Sequence, residues 1–158
     1  MTSQNGWDYY YGRNNKAQSY EKAMKIFKKQ AQKGDGKAMG IVGAMYHDGE
    51  GVDVNYGTAL IWFKQAAAQG NADAMALIAC MYQYARGVEF SYINMMFWME
   101  KAANHGSQSA KNFIFSIGHP ENWDSMTTEK ARENDRLFIT PMLKANDARR
   151  NAEMREKK

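Results

Sequence analysis

Residues 37–70 read KAMGIVGAMYHDGEGVDVNYGTALIWFKQAAAQG, and residues 73–106 read DAMALIACMYQYARGVEFSYINMMFWMEKAANHG. Laid over one another at an offset of 36 residues, they place Ala38 on Ala74, Tyr46 on Tyr82, Val52 on Val88, Tyr56 on Tyr92, Trp62 on Trp98, Ala67 on Ala103 and Gly70 on Gly106. The same register continues backwards to Tyr20, Ala31 and Gly34. A self-match at this spacing marks supersecondary units stacked side by side, none of which buries its apolar face alone. Function in such a stack belongs to a surface rather than to an enclosed cleft.

Each unit predicts two antiparallel helices. Asp35, Asn71 and Ser107 stand where a short polar side chain accepts the orphan backbone N–H groups of a helix start. A first helix over 36–48 follows, with Ala38, Ile41, Val42, Met45 and Tyr46 on one apolar stripe. Gly49 and Gly51 supply a sharp reversal, and Ala85 takes the place of the first glycine in the next unit. Ser19, Asn55 and Ser91 cap the second helices, which carry Ala pairs and Trp62 or Trp98, and Gly70 closes one as a left-handed residue. Trp is expected to fill the space between neighbouring helices.

The pattern weakens towards both ends, as terminal repeats must present a soluble outer face. Tyr10 aligned with Tyr46 gives a worn first helix over about 3–12. Thr127 and Ala131 give a last second-type helix over about 128–139, and Thr140-Pro141 starts a charged helix over roughly 141–154. The expected organisation is a single repeat domain, 1–158, divided into a degenerate repeat (1–34), two full repeats (35–70, 71–106), a second degenerate repeat (107–140) and a C-terminal helix and tail (141–158).

Leu, Ile, Val and Phe together number only 23, but 12 Met, 9 Tyr and 4 Trp carry the apolar load at regular positions, so the chain reads as folded. The net charge of +4 is modest and is not a nucleic-acid signature. A single cysteine, Cys80, excludes an intrachain disulfide and any multi-cysteine zinc site. No apolar run is long enough for a membrane span. Met1–Asn15 lacks the basic-then-apolar layout of a signal peptide, which leaves the compartment open between bacterial cytoplasm and periplasm.

The string Ala38-x3-Val42-Gly43-x2-Tyr46-x2-Gly49-x-Gly51-Val52-x2-Asn55-x3-Ala59-x2-Trp62-x3-Ala66-Ala67-x2-Gly70 resembles the Sel-one-like repeat, a relative of the tetratricopeptide repeat. Departures in the next unit are Ala79, Ala85 and Met95. The resemblance implies a right-handed α-solenoid of stacked antiparallel hairpins and a role in protein–protein contact. Members of that family serve as adaptors, regulators and secretion-related factors, and some short bacterial ones resemble immunity proteins encoded beside secreted toxins.

In such stacks the first helix of each hairpin lines the concave face. The residues left over by the apolar stripe make the candidate partner-binding set: Tyr11, Lys37, His47, Asp48, Asp73, Gln83, Tyr84, Asn112 and Ser116. Small residues among them, such as Gly40, Ala44, Ala76 and Cys80, serve equally for close packing. The aromatic cluster Trp7, Tyr9, Tyr10 and Tyr11 either closes the open end or forms a patch for a partner. The lysines 22, 25, 28, 29 and 33 read as a solvated face, or as a landing surface for an acidic partner.

No spacing of catalytic or metal-ligating residues appears: neither H-E-x-x-H, nor a phosphate-cradling Gly-Lys-Ser/Thr loop, nor a nucleophile elbow. His47, His105 and His119 are scattered. The sequence thus points to a non-enzymatic protein-binding module without metal or cofactor, monomeric or weakly dimeric. An RNA-binding helical repeat and a signalling or cell-envelope scaffold are the alternatives.

Overall fold

The predicted caps among the described residues are found at work. Ser19 Oγ accepts from the Lys22 N–H, Asn55 Oδ1 from Thr58 and Ser91 Oγ from Asn94, at 3.3, 2.8 and 3.2 Å. Asp35 Oδ1 accepts from both Lys37 and Ala38, and Asn71 Oδ1 from Ala74. The computed structural model describes residues 3–117. Along them run α1 (Ser3–Tyr11), α2 (Tyr20–Gln32), α3 (Gly36–Asp48), α4 (Tyr56–Ala68), α5 (Ala72–Gln83), α6 (Tyr92–Asn104) and α7 (Gln108–Ile117). No strand occurs among the described residues. The helices pair as the hairpins α1/α2, α3/α4 and α5/α6, and α7 packs on α6. Each helix packs mainly on its neighbours in sequence, so the molecule is an all-α solenoid. The segments read as helices over 128–139 and 141–154, and His119, lie outside the described residues.

The junctions between hairpins have no linker. Gly34, Gly70 and Gly106 take φ of 92°, 81° and 97°. Their N–H groups reach back to Ala31, Ala67 and Ala103, while those of Asp35, Asn71 and Ser107 reach Gln30, Ala66 and Ala102. These are Schellman closures in which the last residue of one motif is also the cap of the next helix. Asn71 adds a further tie, since its Nδ2 donates to the Gly36 carbonyl, 3.1 Å away.

A continuous core of Ala, Met and Phe runs along the stack. Gly43 lets α3 lie directly on the ring of Phe63, where an added Cβ would stand 2.6 Å from Cδ1. One unit on, the same positions hold Ala79 and Met99, both buried. A flat ring thus meets glycine, and a flexible thioether meets alanine. Trp62 and Trp98 pack against this core but stay half-buried, whereas Phe63 is fully buried.

The first unit is out of register by one residue. Gly6 faces Phe27 as Gly43 faces Phe63. Gly12, at φ 65°, turns the chain where Gly49 does at φ 75°. The Ser19 N–H bonds the carbonyl of Tyr9, as Asn55 bonds Tyr46 and Ser91 bonds Tyr82. Tyr9, and not Tyr10, is therefore the counterpart of Tyr46. The loop after α1 is one residue longer than the others, and it accommodates this by placing Asn14 and Asn15 in left-handed conformations.

Candidate interaction surface

The loop end of the stack repeats a three-part contact. A last-turn residue of the first helix, the apex residue of the next unit's loop and the first residue of the second helix come together. In the first instance the Tyr10 hydroxyl donates to Glu50 Oε2 at 2.7 Å, and the Tyr10 ring lies edge-on to Tyr20 at 5.1 Å. In the second, one register step on, Arg86 Nη1 lies 3.0 Å from His47 Nε2, and the His47 ring lies 5.2 Å from Tyr56. Guanidinium has only donors, so Nε2 accepts, and the imidazole proton sits on Nδ1, which donates to Asp48 Oδ1 at 2.6 Å. Burial, together with the bond to Glu50, pushes the Tyr10 phenol well above the usual tyrosine range, so it remains a donor.

Glycines make these contacts possible. Gly51 presses on the backbone at Tyr20, where an added Cβ would stand 2.6 Å from the carbonyl carbon. Gly87 presses on Tyr56 in the same way, with 2.8 Å to Cβ. Both have positive φ, so each glycine serves the turn and the inter-unit contact together.

The predicted surface residues divide into tied and free ones. His47 is held by Asp48, Arg86 and Tyr56 and is not an open contact residue. Asp48, Lys37, Asp73, Asn112 and Ser116 are exposed. Gln108 bonds Asn112, and the Ser116 hydroxyl donates to the Phe113 carbonyl. Gln83 is half-buried. Tyr84 is 56% exposed and Tyr11 51%. With the one-residue offset of α1, Tyr11, Asp48 and Tyr84 share one register position, and Arg13, Glu50 and Arg86 share another. Arg13 lies 4.6 Å from the Tyr11 ring centre and Arg86 lies 5.3 Å from that of Tyr84.

Sequence reasoning missed Arg86, Glu50 and Tyr56. The repeat register placed Glu50 over Arg86, but only the folded loop shows what each touches. The aromatic cluster closes the open end: Trp7 packs on Phe27, Tyr10 and Tyr11, and only Tyr11 stays exposed. Lys28 departs from the solvated reading, since its Nζ donates to the Tyr46 hydroxyl of the next hairpin at 2.7 Å. Burial raises the Cys80 thiol above its usual range and the charge of Arg86 partly opposes this, which favours the inert thiol form. Among the described residues no group of His, Cys, Asp or Glu could hold a metal ion, and no helix is long and apolar enough to cross a membrane.

The pattern that defines the Sel1 repeat matches residues 6–35, 36–71 and 72–107. The chain belongs to the Sel1 repeat family. Sel1 repeats are generally non-catalytic scaffolds for protein–protein interaction. The solved structure of c5321, a protective antigen present in uropathogenic Escherichia coli strains, aligns over 74% of this chain and 26% of its own, with a TM-score of 0.67 and 31% identity. A Sel1 repeat protein from Oxalobacter formigenes aligns over 75% of this chain and 49% of its own, with a TM-score of 0.67 and 27% identity. The chain thus spans half or less of the length of these two Sel1-type proteins. Helicobacter pylori cysteine rich protein B shares the fold at a TM-score of 0.59 and 19% identity, over 65% of this chain and 76% of its own. No curated protein sequence gives a significant match.

Proposed function

We propose that this Sel1 repeat chain is a non-enzymatic binding module, acting as a bacterial adaptor or as an immunity-type inhibitor that grips a secreted toxin or secretion-system partner. One observation carries the reading. The ends of the first helices leave Tyr11, Asp48 and Tyr84 exposed at one repeated position, on a scaffold whose loops are locked to the preceding unit. Exposed tyrosines on a rigid frame offer large contact area at little entropic cost. The partner-binding set then comprises these residues with Lys37, Asp73, Gln83, Asn112 and Ser116. The test is co-expression with the product of the adjacent gene, followed by gel filtration. Co-elution that is lost in Gln83→Ala/Tyr84→Ala, with melting unchanged, supports the module. Co-elution untouched by that pair and by Tyr11→Ala would move the contact surface elsewhere. Shifted mobility of single-stranded RNA at low salt would favour the nucleic-acid alternative.

A further inference from the structure

Arg86 differs from the other described cations in how firmly it is held. Its guanidinium lies 5.3 Å from the Tyr84 ring centre and 5.8 Å from that of Tyr56, and Nη1 donates to His47 Nε2. Asp48 holds His47 from its other nitrogen. Four side chains, from α3, α4 and the loop that follows α5, therefore fix one planar fork. Only one of its five side-chain N–H groups has an acceptor in the hydrogen bonds described above. A fork immobilised before a ligand arrives loses little further freedom on binding, and its geometry matches the two oxygens of a carboxylate. Beside it Tyr84 presents an exposed ring, the kind of flat apolar surface a polypeptide covers.

We propose that the Tyr84–Arg86 edge of the third unit is a carboxylate-binding site that anchors an acidic side chain of a partner polypeptide. This rests on the module reading above and names the chemistry of the partner. The other basic region, on α2, is of a different kind. Lys22, Lys25, Lys29 and Lys33 are exposed point charges, suited to diffuse attraction rather than a shaped contact. At the loop edge Asp48 offsets part of the Arg86 charge, so selectivity there comes from the oriented fork and not from net field. The counterpart position in the second unit holds Glu50, already bonded by Tyr10. In the first unit it holds Arg13, which is exposed and lies against the Tyr11 ring without counterparts of His47 and Tyr56 around it, so the fork braced on several sides is that of the third unit.

The experiment uses the full chain, isotope-labelled, with the side-chain Nε–H signals of arginine followed by NMR. The probes are a blocked short peptide repeating Glu-Ser-Tyr-Gly, its Gln counterpart, and the Gln counterpart with a free C-terminal carboxylate. The Glu peptide should move the Arg86 Nε–H and Tyr84 ring signals and bind about tenfold more tightly than the blocked Gln peptide. Arg86→Lys and Tyr84→Ala should each remove most of that difference. Tyr84→Ala leaves the His47–Arg86 bond in place, so unchanged melting there separates lost binding from lost folding. Shifts confined to α2, or equal binding by both variants and wild type, would overturn the site. A response to the free terminus alone would overturn the assignment to an acidic side chain. Equal binding of the Glu and blocked Gln peptides by the wild-type chain, while the adjacent gene product still co-elutes, would sink this site and leave the module reading intact.

Discussion

Gln30 sits where the later repeats have Ala66 and Ala102, and the substitution leaves a polar amide inside the core. The residue is buried, and among the described residues neither Oε1 nor Nε2 has a hydrogen-bond partner. An unsatisfied buried amide costs about 1–3 kcal/mol. Gln30→Met keeps the length of the side chain and removes the amide, so it should raise stability by about 1–2 kcal/mol, read from urea unfolding. A fall in stability would mean that the amide is satisfied in solution. Ala85 is the second residue that works against its position. Its φ of 51° is the conformation Gly49 takes in the unit before, and alanine there carries a Cβ penalty. Ala85→Gly should therefore stabilise by about 1 kcal/mol. Unchanged or lower melting would show that the loop relaxes away from this conformation. That Ala85 stands at a glycine position is visible in the repeat alignment. The missing partner of Gln30 is not, because it depends on what the neighbouring helices bring.

At the level of elements, α3 and α4 meet through Gly43 and Phe63, and α5 and α6 through Ala79 and Met99. A methyl at residue 43 would stand 2.6 Å from a ring that is enclosed on all sides. Gly43→Ala should cost about 1–3 kcal/mol, as overpacking does. Adding Phe63→Met should recover part of that loss, since methionine bends where a ring cannot. A double-mutant cycle reads this directly, and purely additive costs would refute the pairing. The junction between α4 and α5 makes a separate case. Asn71 caps α5, completes the closure of α4 and bonds the Gly36 carbonyl. Asn71→Ala should cost about 1–2 kcal/mol, with Asn71→Asp recovering the cap but not the Gly36 bond. A loss shared equally by both variants would assign the whole effect to the Gly36 bond.

Over the whole molecule, stability is a chain of neighbour contacts, each unit resting on the one before it. At the loop glycines Gly51 and Gly87 one unit comes close against the backbone of the unit before it. Gly87→Ala puts a methyl 2.8 Å from the Tyr56 Cβ on a backbone with φ of 70°. It should cost about 2–4 kcal/mol, from overpacking and positive φ together. Hydrogen exchange should quicken in α5 and α6 more than in α1 and α2. Uniform acceleration along the chain would mean that the stack opens as one body.

The hairpins, their caps and their closing glycines follow from the sequence alone, because they depend on local periodicity and on which side chains reach backbone groups a few residues away. Tyr46 and Tyr82, Asn55 and Ser91, and Gly70 and Gly106 all announce themselves by repetition. Three matters were decided only by tertiary structure: the one-residue slip that makes Tyr9 the counterpart of Tyr46, the full burial of Phe63 beside a half-buried Trp62, and the binding of His47 to Arg86. Each involves groups brought together across helices or units, where loop length and the angle between helices choose the partner. A repeat register fixes which residues are equivalent, but contact across a stack depends on where the preceding unit leaves room.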